Sequence, residues 1–252
     1  MLLTTIGTGT AALHPSRVRA GHLVEAGRVR LLLDCGSGLA VRIAQLGIDW
    51  MGITHVAVTH FHDDHIGDLP TMLTAWRWGA LPPRSAPLVL VGPPGMRALQ
   101  GALAAAFGSI VTDPGFPLTV HEVAPGEALA LGDAVRLDAR KVPHTPESVA
   151  YSVEHAGRRL VYTGDTAFDP TLGEWAAGCD VLLCECSLPD ALASPSHLTP
   201  RECGRLAAMA GPHRLVLTHF YPPVEDVDIR GEVAESFPGE VALARDGWTI
   251  EI

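Results

Sequence analysis

The chain has 252 residues, of which 47% are apolar and 18% are charged, and this composition excludes a largely disordered protein. Its 18 basic and 28 acidic residues give a formal net charge of −10, which argues against a general nucleic-acid binder but allows a small anionic substrate held by a metal. No segment reaches the ~18 apolar residues of a membrane span, so we expect no membrane association.

The start of the chain and its cysteines bear on the compartment. The first basic residue is Arg17, so the positively charged start of a signal peptide is missing and we expect no export signal. The five cysteines, an odd number, are then expected to be reduced thiols. Together these features predict a cytoplasmic protein.

Apolar runs bounded by glycine and proline predict strands, and helical spacing of apolar residues predicts helices. An apolar start at 2–10 runs into a glycine-rich turn, and further strands are expected at 21–27, 28–34, 53–59, 88–91, 118–122, 135–142, 149–154, 159–163, 181–186, 214–218 and 248–252. Helices are expected at 38–46, 70–78, 96–107 and 199–210. This order predicts an α/β protein with two mixed sheets and helices outside them. No linker composition interrupts the pattern, so we predict one domain over residues 1–252.

The most informative segment is 59–65, Thr-His-Phe-His-Asp-Asp-His, which directly follows a predicted strand. Histidine and carboxylate are ligands suited to zinc and similar divalent metals. In a loop that turns inward at the strand end, His60 and His62 can point to one metal, while Asp64 and His65 can reach a second. Side chains of these types at this spacing serve no packing need, so the sequence predicts a metal centre rather than a solvated loop.

Three later residues, His144, Asp165 and His219, each come just past the carboxyl end of a predicted strand. A single histidine in such a place is more often structural, so none of the three carries a prediction alone. Four strand ends with ligand-type side chains are hard to explain by chance, and loops at such ends commonly carry function.

With these residues in view, segment 60–65 resembles the His-x-His-x-Asp-His signature of the metallo-β-lactamase superfamily. The resemblance extends from the Gly-Thr-Gly-Thr turn at 7–10 to His219, and it implies an αββα four-layer sandwich with a two-metal site at one sheet edge. It also implies two ligand sets that share Asp165: His60, His62 and His144 for one ion, and Asp64, His65 and His219 for the other. Asp63 would not be a ligand. The expected cofactors are two divalent ions, zinc in the first place and manganese as the alternative.

The turn at 7–10, the Leu-Leu-Leu-Asp-Cys-Gly segment at 31–36 and Gly-Asp-Thr at 164–166 resemble the ribonuclease Z-like and phosphodiesterase branch of the superfamily. In that branch a glutamate at a strand end and a downstream histidine assist catalysis. Glu185 and His197 stand in the matching places and, with Asp64, are the candidate catalytic residues. A glutamate beside a histidine can orient it and hold its proton, which makes a general acid.

One departure from the family pattern concerns the substrate. Ribonuclease Z carries a long basic arm that grips tRNA, inserted near the third histidine motif. Here segment 143–148 passes directly into the predicted strand 149–154, which leaves no room for such an arm. We therefore expect tRNA not to be a partner. A small or cyclic phosphodiester, cleaved by a hydroxide between two metal ions, fits the sequence better.

Other readings stay open at this point. The ligands are compatible with a hydrolase of a carboxylic ester, thioester, lactone or β-lactam, with a tRNA 3′-processing endonuclease, and with a non-catalytic metal-binding protein. Glu185 and His197 are the residues that favour phosphodiesters.

Two further groups of residues have alternatives of their own. Cys184 and Cys186 share a face of a predicted strand and, with Cys179, could hold a structural metal, although a core role is favoured. Trp76 and Trp78 could line the substrate mouth, form a homodimer interface or pack in the core.

Overall fold

The chain consists of runs of strands interrupted by helices. The computed structural model describes residues 1–252 and has fourteen strands and seven α-helices. The strands are β1 Leu2–Gly7, β2 Gly21–Ala26, β3 Val29–Leu33, β4 His55–Ala57, β5 Leu88–Gly92, β6 Leu118–Glu122, β7 Ala128–Gly132, β8 Val135–Lys141, β9 Val149–His155, β10 Arg158–Tyr162, β11 Val181–Glu185, β12 Arg214–Thr218, β13 Glu240–Leu243 and β14 Trp248–Glu251. The helices are α1 Leu39–Gln45, α2 Asp63–Ile66, α3 Leu69–Trp78, α4 Met96–Phe107, α5 Pro170–Trp175, α6 Pro200–Ala210 and α7 Ile229–Ala234.

Each of the two sheets has seven strands, and half of the strand pairings in each sheet are antiparallel and half parallel. The strand orders are β14-β1-β2-β3-β4-β5-β6 and β13-β12-β11-β10-β9-β8-β7. Strands β3 to β6 run parallel in the first sheet, and β10 to β13 run parallel in the second. Since parallel strands end at the same edge of a sheet, the loops after β10, β11 and β12 gather at one edge of the second sheet.

Three apolar clusters separate four layers. The central cluster joins the two sheets and includes Leu31, Leu33, Tyr151 and Leu183. Leu32 belongs instead to the cluster between the first sheet and helices α1, α3 and α4. A third cluster lies between the second sheet and helices α5 to α7. Strand β3 is therefore buried on both faces, as its unbroken leucine run predicts, and the expected αββα sandwich is confirmed.

Most predicted elements are present, with ends that differ by a few residues. Strand β4 is shorter than predicted, because only His55–Ala57 pair with the neighbouring strands. The sequence analysis missed β7, β13, α2, α5 and α7. Strands β7 and β13 form the two edges of the second sheet, β7 largely exposed and β13 mostly half-buried, while the three helices have at most six residues. Such elements bury too few apolar residues to produce a periodic pattern.

The cysteines favour the core interpretation. Four of them lie buried beneath helices α5 to α7: Cys179, Cys184, Cys186 and Cys203. The Sγ atoms of Cys184 and Cys203 are 3.9 Å apart, and Cys203 Sγ donates a hydrogen bond to the Glu185 carbonyl oxygen at 3.0 Å. None of the side-chain groups able to converge on a metal ion contains a cysteine.

The two tryptophans have different environments. Trp76 is fully buried and its indole Nε1 donates to the Trp50 carbonyl oxygen at 2.8 Å, whereas Trp78 is 69% exposed. Trp76 is therefore a core residue. No helix in the structure is long and apolar enough to cross a membrane.

Candidate metal centre

All seven predicted ligands meet at one end of the sandwich. The chain leaves β4, and the single turn of α2 buries Asp64 and His65 while Asp63 stays outside with a side chain that is 76% exposed. His144, Asp165 and His219 arrive separately on the loops after β8, β10 and β12. The different fates of Asp63 and Asp64 agree with the prediction that only Asp64 faces the metal centre.

The first group consists of His60, His62, His144 and Asp165, whose possible ligand atoms all lie within 4.8 Å of one another. The Nδ1 atom of His62 is 3.1 Å from His60 Nε2 and 3.2 Å from His144 Nε2. The Oδ2 atom of Asp165 is 3.8 Å from the Nε2 atoms of both His60 and His144.

The second group consists of Asp64, His65, Asp165 and His219. Here Asp165 presents its other oxygen, Oδ1, at 3.2 Å from His65 Nε2 and 3.4 Å from His219 Nε2. The Oδ2 atom of Asp64 is 3.4 Å from His219 Nε2 and 3.9 Å from His65 Nε2. One carboxylate thus faces both groups, with one oxygen toward each.

The residues in both groups fit divalent metal ions. Ligand atoms that surround one ion at about 2.0–2.2 Å stand roughly 3–4 Å from each other, as they do here. The buried atoms His65 Nε2 and Asp165 Oδ1 have no hydrogen-bond partner, and such orphaned groups call for an ion or a water. Imidazole nitrogen and carboxylate oxygen are suited to zinc, and carboxylate also to manganese.

Electrostatics keep the carboxylates of the centre charged. Burial would raise the pKa of Asp165, but the charges of His219 and His65 outweigh burial and hold it well below its ordinary value. Burial likewise opposes ionisation of Asp64, while the hydrogen bond from His219 and the charge of His65 lower its pKa. Both carboxylates are therefore anionic over the whole neutral range.

Asp34 holds the histidine of the second group from behind. Its Oδ2 atom lies 2.8 Å from His65 Nδ1 and accepts hydrogen bonds from the hydroxyls of Thr59, at 2.9 Å, and Tyr162, at 2.8 Å. Its Oδ1 atom accepts from the Thr59 backbone N–H at 2.7 Å. Such a partner fixes the orientation of His65 and directs Nε2 to the metal side. The sequence predicted no role for Asp34 beyond its place in the 31–36 segment, although an acid at the end of a fully apolar strand is a signal of a buried role.

Glu185, fully buried at the end of β11, organises the other side. It accepts hydrogen bonds from the backbone N–H groups of Thr166, at 2.6 Å, and Leu198, at 3.3 Å, and from the Ser187 hydroxyl. Both of its carboxylate oxygens lie 3.2 Å from His197 Nδ1. Burial would lower the pKa of His197, but the hydrogen bond and charge of Glu185 raise it to about 9. The pair that the sequence singled out is therefore in contact.

Ser187 and Ser196 extend this network to two of the predicted ligands. The Ser187 hydroxyl, which donates to Glu185, lies 2.9 Å from His219 Nδ1. The Ser196 carbonyl oxygen lies 2.9 Å from His144 Nδ1. Both contacts leave Nε2 of the histidine facing its ligand group, 3.4 Å from Asp64 Oδ2 in His219 and 3.2 Å from His62 Nδ1 in His144. No sequence pattern indicates either contact, because each depends on loops that only the fold brings together. His219 and Asp34 share an unusual backbone, with φ of 59° and 60°.

His22, for which no role was predicted, is completely buried, with its ring edge-on to Tyr162 at a centroid distance of 5.0 Å. Neither ring nitrogen has a hydrogen-bond partner, and burial lowers its pKa to about 3. It belongs to neither ligand group.

Comparisons with known proteins agree with this fold and site. The family profile of the Beta-lactamase superfamily domain matches residues 29–220. The ribonuclease Z of Mycobacterium sp. (strain KMS) is 33% identical over 274 aligned positions, which cover 99% of this chain and 95% of that protein.

Two crystal structures are similar over the full length of the chain. The metallo-beta-lactamase fold protein YhfI from Bacillus subtilis has a TM-score of 0.85 at 24% identity and covers 100% of this chain and 99% of its own. Human tRNase Z, short form (ELAC1), has a TM-score of 0.80 at 25% identity, with coverage of 100% and 99%.

The chain belongs to the metallo-β-lactamase superfamily, as its fold and its histidine-aspartate centre indicate. Within that superfamily it is a ribonuclease Z-like, metal-dependent hydrolase. The names of these relatives give no support to the expectation that tRNA is not a partner.

Proposed function

We propose that the protein is a phosphodiesterase that uses two divalent metal ions, zinc or manganese, to hydrolyse a small or cyclic phosphodiester. The observation that carries this proposal is the position of the Glu185–His197 pair: His197 Nδ1 lies 3.9 Å from Asp165 Oδ2, the carboxylate that both ligand groups share. A proton donor therefore stands directly beside the place where two ions would hold a phosphoryl group.

The ligand roles follow the two groups. His60, His62 and His144 would hold one ion, and Asp64, His65 and His219 the other. Asp165 would contribute one oxygen to each. When bound, the ions supply an activated water nucleophile and neutralise charge on the phosphoryl oxygens.

His197 is the group that would protonate the leaving oxygen. Glu185 holds its Nδ1, so Nε2, which has no protein partner, is the atom that delivers the proton. Glu185 also stabilises the charged form of the imidazole, which keeps the proton available near neutral pH. Such a donor favours substrates that lose an alkoxide, because an alkoxide leaves poorly without a proton. Phosphodiesters of sugars and nucleosides are substrates of this kind, and the pair therefore favours them over β-lactams and activated esters.

The size of the substrate is argued from the loop that carries His144. Only seven residues, 142–148, connect β8 to β9, where the arm of ribonuclease Z would stand. The alignment with the mycobacterial relative spans 274 positions, more than the 252 residues of this chain, so that relative has residues for which this chain has no counterpart. The net charge of −10 adds repulsion toward a polyanion.

A second candidate function, tRNA 3′ processing, is favoured by the 33% identity to a ribonuclease Z along nearly the whole chain. Without an arm, phosphate contacts would have to come from elsewhere on the surface, and such contacts supply much of the affinity for nucleic acids.

Metal content tests the first part of the proposal. After reloading with zinc or manganese, elemental analysis should find more than one equivalent per chain. A value near zero would contradict a two-ion centre.

A substrate panel tests the rest. The metal-loaded protein should hydrolyse cyclic nucleotides, cyclic sugar phosphates or bis-nitrophenyl phosphate, and should cleave precursor tRNA weakly. Efficient trimming of a tRNA 3′ end at the correct length would establish the second candidate instead. Turnover of lactones, thioesters or β-lactams alone would contradict both.

A further inference from the structure

Lys141 is the only lysine of the chain and the last residue of β8, so it stands at the start of the loop 142–148 that carries His144. Its Nζ atom donates hydrogen bonds to three backbone carbonyl oxygens of that loop: Val142 at 2.8 Å, Thr145 at 2.5 Å and Ser148 at 3.2 Å. A lysine ammonium has three donors, and here each finds an acceptor in the same loop.

The loop is closed by further bonds around this cation. The backbone N–H of Val142 donates to the Ser148 carbonyl at 3.2 Å, and that of Ser148 donates to the Thr145 carbonyl at 3.2 Å. The Thr145 N–H donates to the Ser148 hydroxyl oxygen at 3.1 Å. Three carbonyl oxygens thus converge on one point, an arrangement that their partial charges oppose unless a cation occupies the centre.

The loop is also tied to the metal centre. The Pro143 carbonyl accepts a hydrogen bond from the Ala167 N–H at 2.8 Å, two residues beyond Asp165. His144 Nδ1 lies 2.9 Å from the Ser196 carbonyl oxygen. The position of the His144 ring therefore depends on the path of the loop backbone. The hydrogen bonds of Lys141 hold this backbone together.

We infer that Lys141 is a positioning residue that holds the His144 loop in its metal-binding shape. The inference rests on the proposed function, since His144 is assigned there as a ligand. It closes the short loop through hydrogen bonds to the loop's own backbone. Arginine would not replace it, because three converging acceptors suit a compact ammonium better than a planar fork.

The first test exchanges the ammonium by chemistry. In the variant Lys141→Cys the new thiol is exposed, whereas all five native cysteines are buried. Alkylation with 2-bromoethylamine then restores an ammonium at nearly the length of lysine, and alkylation with iodoacetamide adds a neutral amide of similar bulk. The matched control is Arg136→Cys, at the other end of β8, where the native side chain is 55% exposed and pairs with Asp138 and Glu154.

The measured quantities are the dissociation constant for zinc, by competition with a chelator, and hydrogen exchange of the 142–148 amides in the metal-free chain. We expect the unmodified and the carbamidomethylated Lys141→Cys variants to bind zinc about 3–10-fold more weakly. This is less than the cost of about 10–100-fold for losing a group that contacts a ligand histidine directly, because Lys141 acts on His144 only through the loop backbone. Their loop amides should exchange faster, and aminoethylation should restore both properties. The Arg136→Cys control should bind like the unsubstituted protein in all three states.

Wild-type affinity and exchange in unmodified Lys141→Cys, or equal recovery with both reagents, would overturn the inference. Failure of the unsubstituted protein to bind zinc would contradict the proposed function instead, and the exchange measurement would still decide whether Lys141 closes the loop.

A second measurement needs no substitution of the tested residue. Reductive methylation of the native protein reacts with amines, here only Lys141 and the chain terminus, and leaves one N–H on a dimethylated lysine. We expect zinc affinity to fall on treatment. In Lys141→Arg, where only the terminus reacts, treatment should change nothing. Unchanged affinity of the methylated native protein would overturn the inference.

Discussion

The two sheets supply the metal centre in different ways. The first sheet gives its four candidate ligands from one segment of six residues, 60–65, which Asp34 fixes from behind through His65. The second sheet gives its candidate ligands singly, from loops that follow different strands, and joins them through hydrogen bonds of Glu185, Ser187 and Ser196. The candidate ligands of the first sheet are therefore positioned by local chain geometry, whereas those of the second sheet depend on long-range packing.

This difference has a chemical consequence. Asp34 contacts the candidate ligand His65 directly and reaches a second one, His60, through the Thr59 hydroxyl, which lies 3.1 Å from His60 Nδ1. On the proposed function its influence therefore falls on metal binding alone. On the proposed function, Glu185 contacts the proton donor His197 directly and the candidate ligand His219 through Ser187, so one carboxylate would link proton transfer with metal binding. Substitutions in the loops of the second sheet should therefore change both proton transfer and metal binding.

The largest effect is expected when one proposed ligand of the second group is removed, whether it comes from the first sheet or from the second. Asp64→Ala, from the first sheet, and His219→Ala, from the second, should each lower bound metal to about one ion per chain; activity should fall at least about a hundredfold, because several kcal/mol of transition-state stabilisation is removed. His65→Ala should behave in the same way. Elemental analysis, turnover and circular dichroism on the same samples test this.

Asp63→Ala is the matched control for the ligand variants, since Asp63 is exposed and faces away from the centre. It should keep its metal and most of its activity. Wild-type turnover in Asp64→Ala or His219→Ala would remove these residues from the ligand set.

The next effect concerns proton transfer, which only the second side supplies. His197→Ala should lower kcat/KM on the order of 10²–10⁴-fold for an alkyl phosphodiester, because the alkoxide then leaves without a proton. The loss should be much smaller for bis-nitrophenyl phosphate, whose nitrophenolate needs none. Glu185→Gln should show the same pattern at smaller size. Equal losses on both substrates would mean that His197 positions the substrate or supports the metals.

A smaller effect distinguishes Asp34 from Ser187, which contact a proposed ligand histidine of the first and of the second sheet respectively. Asp34→Asn and Ser187→Ala should each weaken metal binding by about 10–100-fold, because both orient a ligand histidine. Only Ser187→Ala should also change the ratio of kcat/KM between the alkyl and nitrophenyl substrates at saturating metal, since Ser187 donates to Glu185. A changed ratio in Asp34→Asn would show that Asp34 also affects proton transfer, contrary to this prediction.

The smallest effect tests whether acid acts on the fold apart from the metal centre. His55 lies at the start of β4, at the opposite end of that strand from the 60–65 segment, and burial together with the charge of His121 lowers its pKa to about 4. In the unfolded chain His55 binds a proton below about pH 6.5, whereas in the folded chain it does so only below about pH 4. The stability that His55 contributes is therefore complete above pH 6.5 and is lost as the pH falls toward 4.

His55→Phe should accordingly reduce the fall of Tm between pH 6.5 and 4, and it should do so equally with and without metal. An unchanged pH profile of Tm in the variant would show that His55 does not titrate in this way.

How far the sequence could predict the site follows from the same comparison. The 60–65 segment is readable because its ligands are neighbours in the chain. His144, Asp165 and His219 were predicted only because each follows an apolar strand and matches a family pattern. Ser187 and Ser196 carry no such mark, since a serine in a loop is common and its partner is set by the fold. Lys141 was visible as the only lysine, but its three acceptors belong to a backbone path that no pattern specifies.

The fold was predictable to a similar degree. The buried strands and the long helices have clear apolar patterns, and the order of elements was sufficient for two mixed sheets with helices outside. The edge strands β7 and β13 were missed because each has only five or four residues, and so short an apolar run rich in alanine and leucine does not distinguish a strand from a turn of helix. The strands and helices of the core can therefore be predicted from local sequence, whereas the edge strands of the second sheet depend on pairing with their neighbouring strands.

The left-handed backbone at Asp34 and His219 has an evolutionary consequence. A residue with a Cβ atom in that region costs roughly 1–2 kcal/mol relative to its preferred conformation. Glycine would relieve this strain, yet a carboxylate stands at one position and an imidazole at the other. At position 34 the exchange would also leave the Thr59 N–H and the hydroxyls of Thr59 and Tyr162 without their acceptor, and buried donors left unpaired cost more than the strain that glycine relieves. A library screened only for melting temperature in the absence of metal should therefore keep aspartate at 34, so its persistence under such a screen would reflect folding and not catalysis.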